Sequence, residues 1–275
     1  MKKVIITTDL DGTLLDASTY SFEAARDALR LIKEQDIPLI ICSSKTRAEI
    51  EYYRRLLNNQ DPFIPENGGA IFIPEERQDL TRQANEGFIE KRHKYFVIPL
   101  GKRYAEIRTG IDMLRSAGFS IRGFGDMGID EIAELTGLQP EEAAMAKERD
   151  FDEPFLFSGC ESELTNLLLA IKKLGLNITR GRFYHLLGDN DKGRAVSILL
   201  DLYRRAFGDI YSVAVGDSLN DLPMLKKADV PVIVQKKNGT YDPALDIHSA
   251  IWAHGVGPEG WNRAITKIIS DVAGQ

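Results

Sequence analysis

Cysteine is scarce in this chain: two residues in 275, Cys42 and Cys160, far apart in sequence. That excludes a disulfide framework and a cysteine metal motif, and it suits a reducing cytosol, so a cytoplasmic protein is expected. Cys42 closes an apolar run and reads as a buried thiol. No stretch approaches the roughly 18 apolar residues needed to span a membrane. The short apolar run near the start is broken by Thr7, Thr8 and Asp9, too early for a signal peptide. Basic excess is absent too. Thirty-five Lys and Arg against 41 Asp and Glu leave a net charge of −6, which removes the usual footprint of nucleic-acid binding. There is no internal repeat and no low-complexity segment. What remains is ordinary for a soluble globular protein, at 43% hydrophobic and 28% charged residues, and long enough for one large or two medium domains.

Strand and helix signals alternate at both ends of the chain. A short strand through Ile6 precedes a helix over 21–35 with Ser21 as its cap. A second strand ends at Cys42 and a helix follows over 46–57. Apolar segments at 63–65 and 70–73 flank Glu66-Asn67-Gly68-Gly69 as a hairpin. After a polar stretch, the segment 95–187 mixes helices and strands without that repeat. The alternation resumes with a helix over 192–207 and a strand over 211–215. This order predicts an α/β fold: a Rossmann-like doubly wound parallel sheet from residues 1–84 and 189–275, with an α+β module, 85–188, inserted between. Trp252 and Trp261 read as core residues.

Chemistry concentrates where strands end. Asp9 and Asp11 stand two apart at the end of the first strand, so both side chains share one face, and Gly12 permits a tight turn after them. In open α/β sheets that edge is where ligands bind. Asp217 and Asp221, in Gly216-Asp217-Ser218-Leu219-Asn220-Asp221, follow another apolar strand and are expected to face the first pair. Four carboxylates in one cleft repel one another unless a cation sits among them, and an all-oxygen set suits Mg²⁺. Ser43, Ser44 and Lys45 lie just past the second strand, where a hydroxyl and backbone N–H groups suit phosphate oxygens. Lys192 opens a helix that returns to the core. These residue types also suit a non-catalytic phospho-acceptor module, from which multiple turnover would distinguish an enzyme.

Taken together, Asp9-Leu10-Asp11-Gly12-Thr13, Ser43, Lys192 and Gly216-Asp217-Ser218-Leu219-Asn220-Asp221 resemble the four motifs of the haloacid dehalogenase superfamily, in order and spacing. The inserted module resembles its type IIB cap. Ser43-Ser44-Lys45-Thr46, Pro65-Glu66-Asn67-Gly68-Gly69, Phe151-Asp152-Glu153-Pro154-Phe155 and Gly181-Arg182-Phe183-Tyr184-His185-Leu186 look like the family of mannosyl-3-phosphoglycerate phosphatases. The resemblance implies a phosphoric monoester hydrolase in which Asp9 is the nucleophile and Asp11 the acid/base. Ser43 and Lys192 would balance phosphoryl charge. Asp9, the Asp11 backbone carbonyl, Asp217 and Asp221 would hold Mg²⁺. Expected substrate contacts are Ser44, Lys45, Glu66, Asn67, Glu153, Arg180, Arg182, His185, Ser218 and Asn220, with Lys45 and Arg182 as cations for a substrate carboxylate. The implied partner is a small phosphorylated sugar or glycosyl-glycerate. Mannosyl-3-phosphoglycerate leads, with glucosyl-3-phosphoglycerate, a hexose phosphate and a phosphomutase reaction as alternatives.

Overall fold

The computed structural model describes residues 2–82 and 89–273. Its largest unit is a nine-stranded sheet. Six strands are parallel: β1 (Lys3–Thr8), β2 (Leu39–Cys42), β3 (Phe63–Ile64), β11 (Ile210–Gly216), β12 (Val230–Gln235) and β13 (Ile251–Val256). Three antiparallel strands, β4 (Ala70–Pro74), β5 (Glu90–Arg92) and β6 (Tyr95–Pro99), extend it, giving the order β13-β12-β11-β1-β2-β3-β4-β6-β5. The chain leaves β1 toward β2 on one side and returns to β11 on the other, so the β1–β11 seam is a topological switch point.

The apolar runs form these strands because both faces are covered. On one face Ile6, Ile41, Val213 and Trp261 share a core beneath α1 (Arg26–Glu34), α2 (Arg47–Leu56) and α9 (Pro258–Ala273). On the other, Ile5, Ile40 and Cys42 pack with Leu199 of α7 (Lys192–Phe207). Thr46 caps α2 through a capping box: its hydroxyl accepts from Glu49 N–H at 3.1 Å, and the Glu49 carboxylate accepts from Thr46 N–H at 2.9 Å. The first helix starts later than the sequence predicts. Ser21 accepts from Glu23 N–H and so closes a 3₁₀ turn at Glu23–Ala25, after which α1 begins at Arg26. Trp261 is buried as expected, and its indole N–H donates to the Thr8 hydroxyl at 3.0 Å. Trp252 instead lies half-exposed on β13, edge-on to Tyr241.

A second sheet, entirely antiparallel, has the order β7-β8-β10-β9: β7 (Ile121–Gly123), β8 (Asp152–Phe157), β10 (Tyr184–Leu187) and β9 (Asn177–Arg180). Helices α3 (Tyr104–Ser116) and α6 (Glu161–Lys173) share its core, around Ile107, Ile111, Phe155, Leu167 and Leu186. A smaller cluster around Phe124 joins α4 (Ile129–Thr136) to α5 (Pro140–Lys147). The expected boundary at 84/85 lies outside the described residues. Tyr95–Pro99, expected in the insert, pairs with β4 in the large sheet because its alternate residues complete that sheet's two cores. Arg182, expected in a strand, lies in the turn between β9 and β10. Among the described residues no helix is long and apolar enough to cross a membrane.

Candidate active site

The switch-point geometry brings Asp9, Asp217 and Asp221 together. One carboxylate oxygen from each lies within 4.8 Å of the others. Asp9 follows β1 and its N–H donates to Val215 O of β11 at 3.0 Å, which locks the two acidic loops side by side. Gly12 has φ +75°, and a Cβ there would press on Asp217 Oδ2 at 3.2 Å. Glycine is therefore required for the turn and for the approach of the two loops.

Lys192 is the cation of this cluster. Its Nζ donates to Asp9 Oδ1 and to Asp221 Oδ1, each at 2.7 Å, with the side chain buried. A lysine in the first turn of α7 is unfavourable for the helix dipole, so the two carboxylates hold it there. Burial alone would lower its pKa, but Asp221 and Asp9 outweigh that and keep the ammonium charged. Asp221 also accepts from the N–H groups of Asp217 and Ser218, at 3.0 and 3.1 Å. Both of its oxygens are thus engaged in holding Lys192 and the loop, and α8 (Leu222–Leu225) starts directly after it.

One lysine does not neutralise three buried carboxylates. Burial, and then Asp221, Asp217 and Asp11, push the Asp9 carboxyl up to about 8 against the pull of Lys192. Burial and Asp221 push Asp217 up to about 7. This deficit of positive charge, presented by hard oxygen atoms, fits a divalent cation such as Mg²⁺.

A cleft of about 560 Å³ opens from this cluster toward the insert. Among its lining residues are Asp9, Asp11, Ser44, Lys45, Arg180, Arg182, His185, Asp217, Ser218 and Asn220. Lys45 lies between Asp11, at 3.1 Å, and Glu49, at 3.3 Å, above the rings of Tyr20 and Tyr53. Its charge is therefore shared between two carboxylates while it lines the cleft. Arg182 donates to the carbonyls of Thr136 and Leu135, at 2.7 and 3.0 Å, and Arg180 lies over the Tyr184 ring. Ser218 Oγ donates to Asn220 Oδ1 at 2.8 Å. Ser43 is fully buried and does not line the cleft; its hydroxyl accepts from Lys45 N–H at 3.3 Å.

Three expected contact residues are buried braces instead. The Glu66 carboxylate accepts from the N–H groups of Asp150, Phe151 and Asp152 at 2.7–3.1 Å. Its burial and the nearby Asp152 push it up to about 8. Asn67 donates to Asp152 Oδ2 at 2.9 Å and accepts from Asn220. Glu66, Asn67 and Gly68 all have positive φ, and a Cβ on Gly68 would strike Asp191 O at 2.2 Å. Glu153 accepts from the Tyr104 hydroxyl, Arg108 and Gly125 N–H at 2.6, 2.8 and 2.7 Å, which engages both of its oxygens, and it does not line the cleft. These side chains read as solvated or ligand-facing because an acidic run and a turn are usually exposed; here tertiary donors bury them.

Sequence reasoning missed Arg149, Asp152, Lys236 and Asp242. Arg149 donates to Ser44 O and Asp152 Oδ1, each at 2.8 Å, and lines the cleft. Asp152 also pairs with His185 Nδ1 at 2.9 Å. Burial would raise Asp152, but Arg149 and His185 pull it below the usual carboxylate range. Its quoted motif was the available signal. Lys236 pairs with Asp242 at 2.7 Å on the cleft wall, and no local pattern marks either.

The chain matches the family described as haloacid dehalogenase-like hydrolase over residues 6–98. It is 46% identical to a glucosyl-3-phosphoglycerate/mannosyl-3-phosphoglycerate phosphatase of Methanococcoides burtonii, covering 97% of each chain. It is 38% identical to a mannosyl-3-phosphoglycerate phosphatase of Pyrococcus horikoshii, covering 90% of this chain and 98% of that one. In fold it is similar to a haloacid dehalogenase-like hydrolase from Bacteroides thetaiotaomicron, with a TM-score of 0.66 at 22% identity over 97% of this chain and 100% of the other. Three of the four dispersed motifs meeting at one switch point, and identity of 38–46% over nearly the full length of these relatives, place the chain in the haloacid dehalogenase-like hydrolase family.

Proposed function

We propose that this chain is a Mg²⁺-dependent phosphatase that hydrolyses mannosyl-3-phosphoglycerate to mannosylglycerate and phosphate. The 46% identity over nearly all of both chains carries this reading. That relative's name also includes the glucosyl substrate, so glucosyl-3-phosphoglycerate is the second substrate to test.

Asp9 attacks the substrate phosphorus, the bond to the glycerate oxygen breaks, and Asp11 donates a proton to that leaving oxygen. A water then attacks the phosphorus of the aspartyl-phosphate, Asp11 takes its proton, and the Asp9–phosphorus bond breaks to release phosphate. Lys192 holds the Asp9 carboxylate in line and balances charge on the transferring group. Asp9, the Asp11 carbonyl and Asp217 would hold Mg²⁺, with Asp221 supporting the site; when bound, the ion supplies charge stabilisation for the phosphoryl oxygens. The substrate carboxylate is read by Arg182 and Arg180, which line the cleft and have no carboxylate partner among the described residues. Seating the insert over the cleft excludes water.

The test is phosphate release from mannosyl-3-phosphoglycerate, glucosyl-3-phosphoglycerate and several hexose phosphates with Mg²⁺, beside Asp9→Asn. Turnover of the glycosyl-phosphoglycerates that vanishes in the variant is expected. Exclusive turnover of hexose phosphates would discard the substrate, and phosphate release stopping near one per chain would discard the enzyme. Arg182→Ala should raise KM for the carboxylate-bearing substrate more than for a hexose phosphate, and equal effects would remove that assignment.

A further inference from the structure

The buried charges beside the cleft form a continuous series rather than separate pairs. Lys45 Nζ lies 3.1 Å from Asp11 Oδ1 and 3.3 Å from Glu49 Oε1. Glu49 Oε2 lies 4.0 Å from the Arg149 guanidinium. Arg149 in turn lies 2.8 Å from Asp152 Oδ1, and Asp152 Oδ2 lies 2.9 Å from His185 Nδ1. The signs alternate from Asp11 to Asp152, and both ends of the series, Asp11 and His185, line the cleft. Lys45, Glu49, Arg149 and Asp152 each have a side chain at least nine-tenths buried. In that low-dielectric setting each charge depends on the next more strongly than it would in water.

The series crosses from one unit of the fold to the other. Asp11, Lys45 and Glu49 belong to the loops and helix of the large sheet, whereas Asp152 and His185 belong to β8 and β10 of the insert. Arg149 stands at the crossing, with a carboxylate partner on each side and a hydrogen bond to Ser44 O of the large-sheet side. Asp11 Oδ1 is a buried atom that no aligned hydrogen bond reaches among the described residues. Its orientation therefore depends on the Lys45 ammonium, whose own position depends on Glu49. If Arg149 loses its charge, Lys45 is, among the described residues, the one cation left to Glu49 beside the Thr46 N–H, and the carboxylate draws it away from Asp11.

We propose that Arg149 is a positioning residue for Asp11, tying the insert's Asp152–His185 pair to the Glu49–Lys45 pair so that Asp11 is aimed only while the insert is seated. The inference rests on Asp11 serving as the proton-transfer group, as proposed above.

The experiment uses p-nitrophenyl phosphate, whose nitrophenolate leaves without a proton, beside mannosyl-3-phosphoglycerate, whose leaving oxygen needs one. Asp11→Asn should release one nitrophenolate per chain in a burst and then stall, whereas Asp9→Asn should show no burst. Arg149→Met should keep a burst rate within about 3-fold of that of Asp11→Asn, while kcat for mannosyl-3-phosphoglycerate falls about 30-fold or more with little change in KM. Arg149→Lys should recover most of the loss. Combining Arg149→Met with Lys45→Met should cost no more than the worse single change, because both act through one series. Absence of a burst in Asp11→Asn would overturn the role given to Asp11. A burst there, with Arg149→Met slowing burst and turnover equally or slowing neither, would overturn the positioning role alone. If Arg149→Met does not fold, Arg149→Lys and Glu49→Gln read the same two rates.

Discussion

At the β1–β11 seam, Asp9 and Asp221 share Lys192 and Asp217 stands beside them with no ion pair of its own among the described residues. At the start of β8, the single carboxylate of Asp152 meets Arg149, His185 and the Asn67 amide. All four carboxylates are buried or nearly so, yet Asp9 and Asp217 are pushed up to about 8 and about 7 while Asp152 is pulled down. Burial is common to both regions, so the number of cations and donors per carboxylate decides the direction. A deficit marks a place kept for a charged ligand, and a full set of partners marks a brace. Glu66 is intermediate: three backbone N–H groups satisfy its oxygens, but burial and Asp152 still push it up.

The largest effect that tests this contrast is Asp9→Asn, expected to cut phosphate release by a factor on the order of 10⁴ to 10⁶ with the fold retained, because it removes the nucleophile and lessens the crowding. Circular dichroism and a phosphate assay suffice to check both halves. Lys192→Met should abolish activity and also destabilise, by about 3–5 kcal/mol in a denaturant titration, since Asp9 and Asp221 lose their cation. Asp152→Ala should destabilise by a similar amount, as it strands Arg149 and His185, although it removes no group from the proposed chemistry. A protein with unchanged stability after that substitution would erase the distinction between site and brace.

A pH series separates the regions more finely. Asp9 and Asp217 hold protons when folded that they release on unfolding, so the folded state binds more protons between the unfolded and folded pKa values. Without divalent cation, stability should therefore fall as pH rises from about 4 toward 8, and saturating Mg²⁺ should flatten that slope. Asp152 has the opposite sign: its stabilisation is present above the unfolded carboxylate pKa and is lost as pH falls below it. Melting temperatures with and without Mg²⁺ from about pH 8 to about pH 4 check the first sign, and their continuation to about pH 2 checks the second. Asp126, bridged to Arg108 and Arg115 but partly exposed, should give the smallest effect, with Asp126→Asn costing about 1 kcal/mol or less.

The motif residues of the large sheet were legible because each sits where an apolar run stops, and the periodicity that makes the strand also says where it ends. Asp9, Asp11, Lys192, Asp217 and Asp221 follow that logic, and the structure gathers them at one seam. The insert was legible as a mixture of helices and strands, but not in its polar contacts. Glu66 and Glu153 read as ligand contacts, yet both carboxylates are buried and accept from donors distant in sequence. Strand β6 reads as part of the insert and the edge strand β5 has no strand signal, since a strand's partner is set by packing rather than by its own pattern.

The sequence by itself determined the alternation of strands and helices, the tight turn at Gly12, and the identity of the carboxylates and lysine that meet at the switch point, because those depend on local backbone preference and on the periodicity of apolar residues. Tertiary structure alone decided that Lys45 serves Asp11 rather than standing free, that Arg149 joins two units, and that Glu66 closes on three backbone N–H groups of β8 and its approach. The physical reason is that a charged side chain's role depends on how many opposite charges and donors folding places around it, and those partners here come from more than 30 residues away in sequence in the decisive cases.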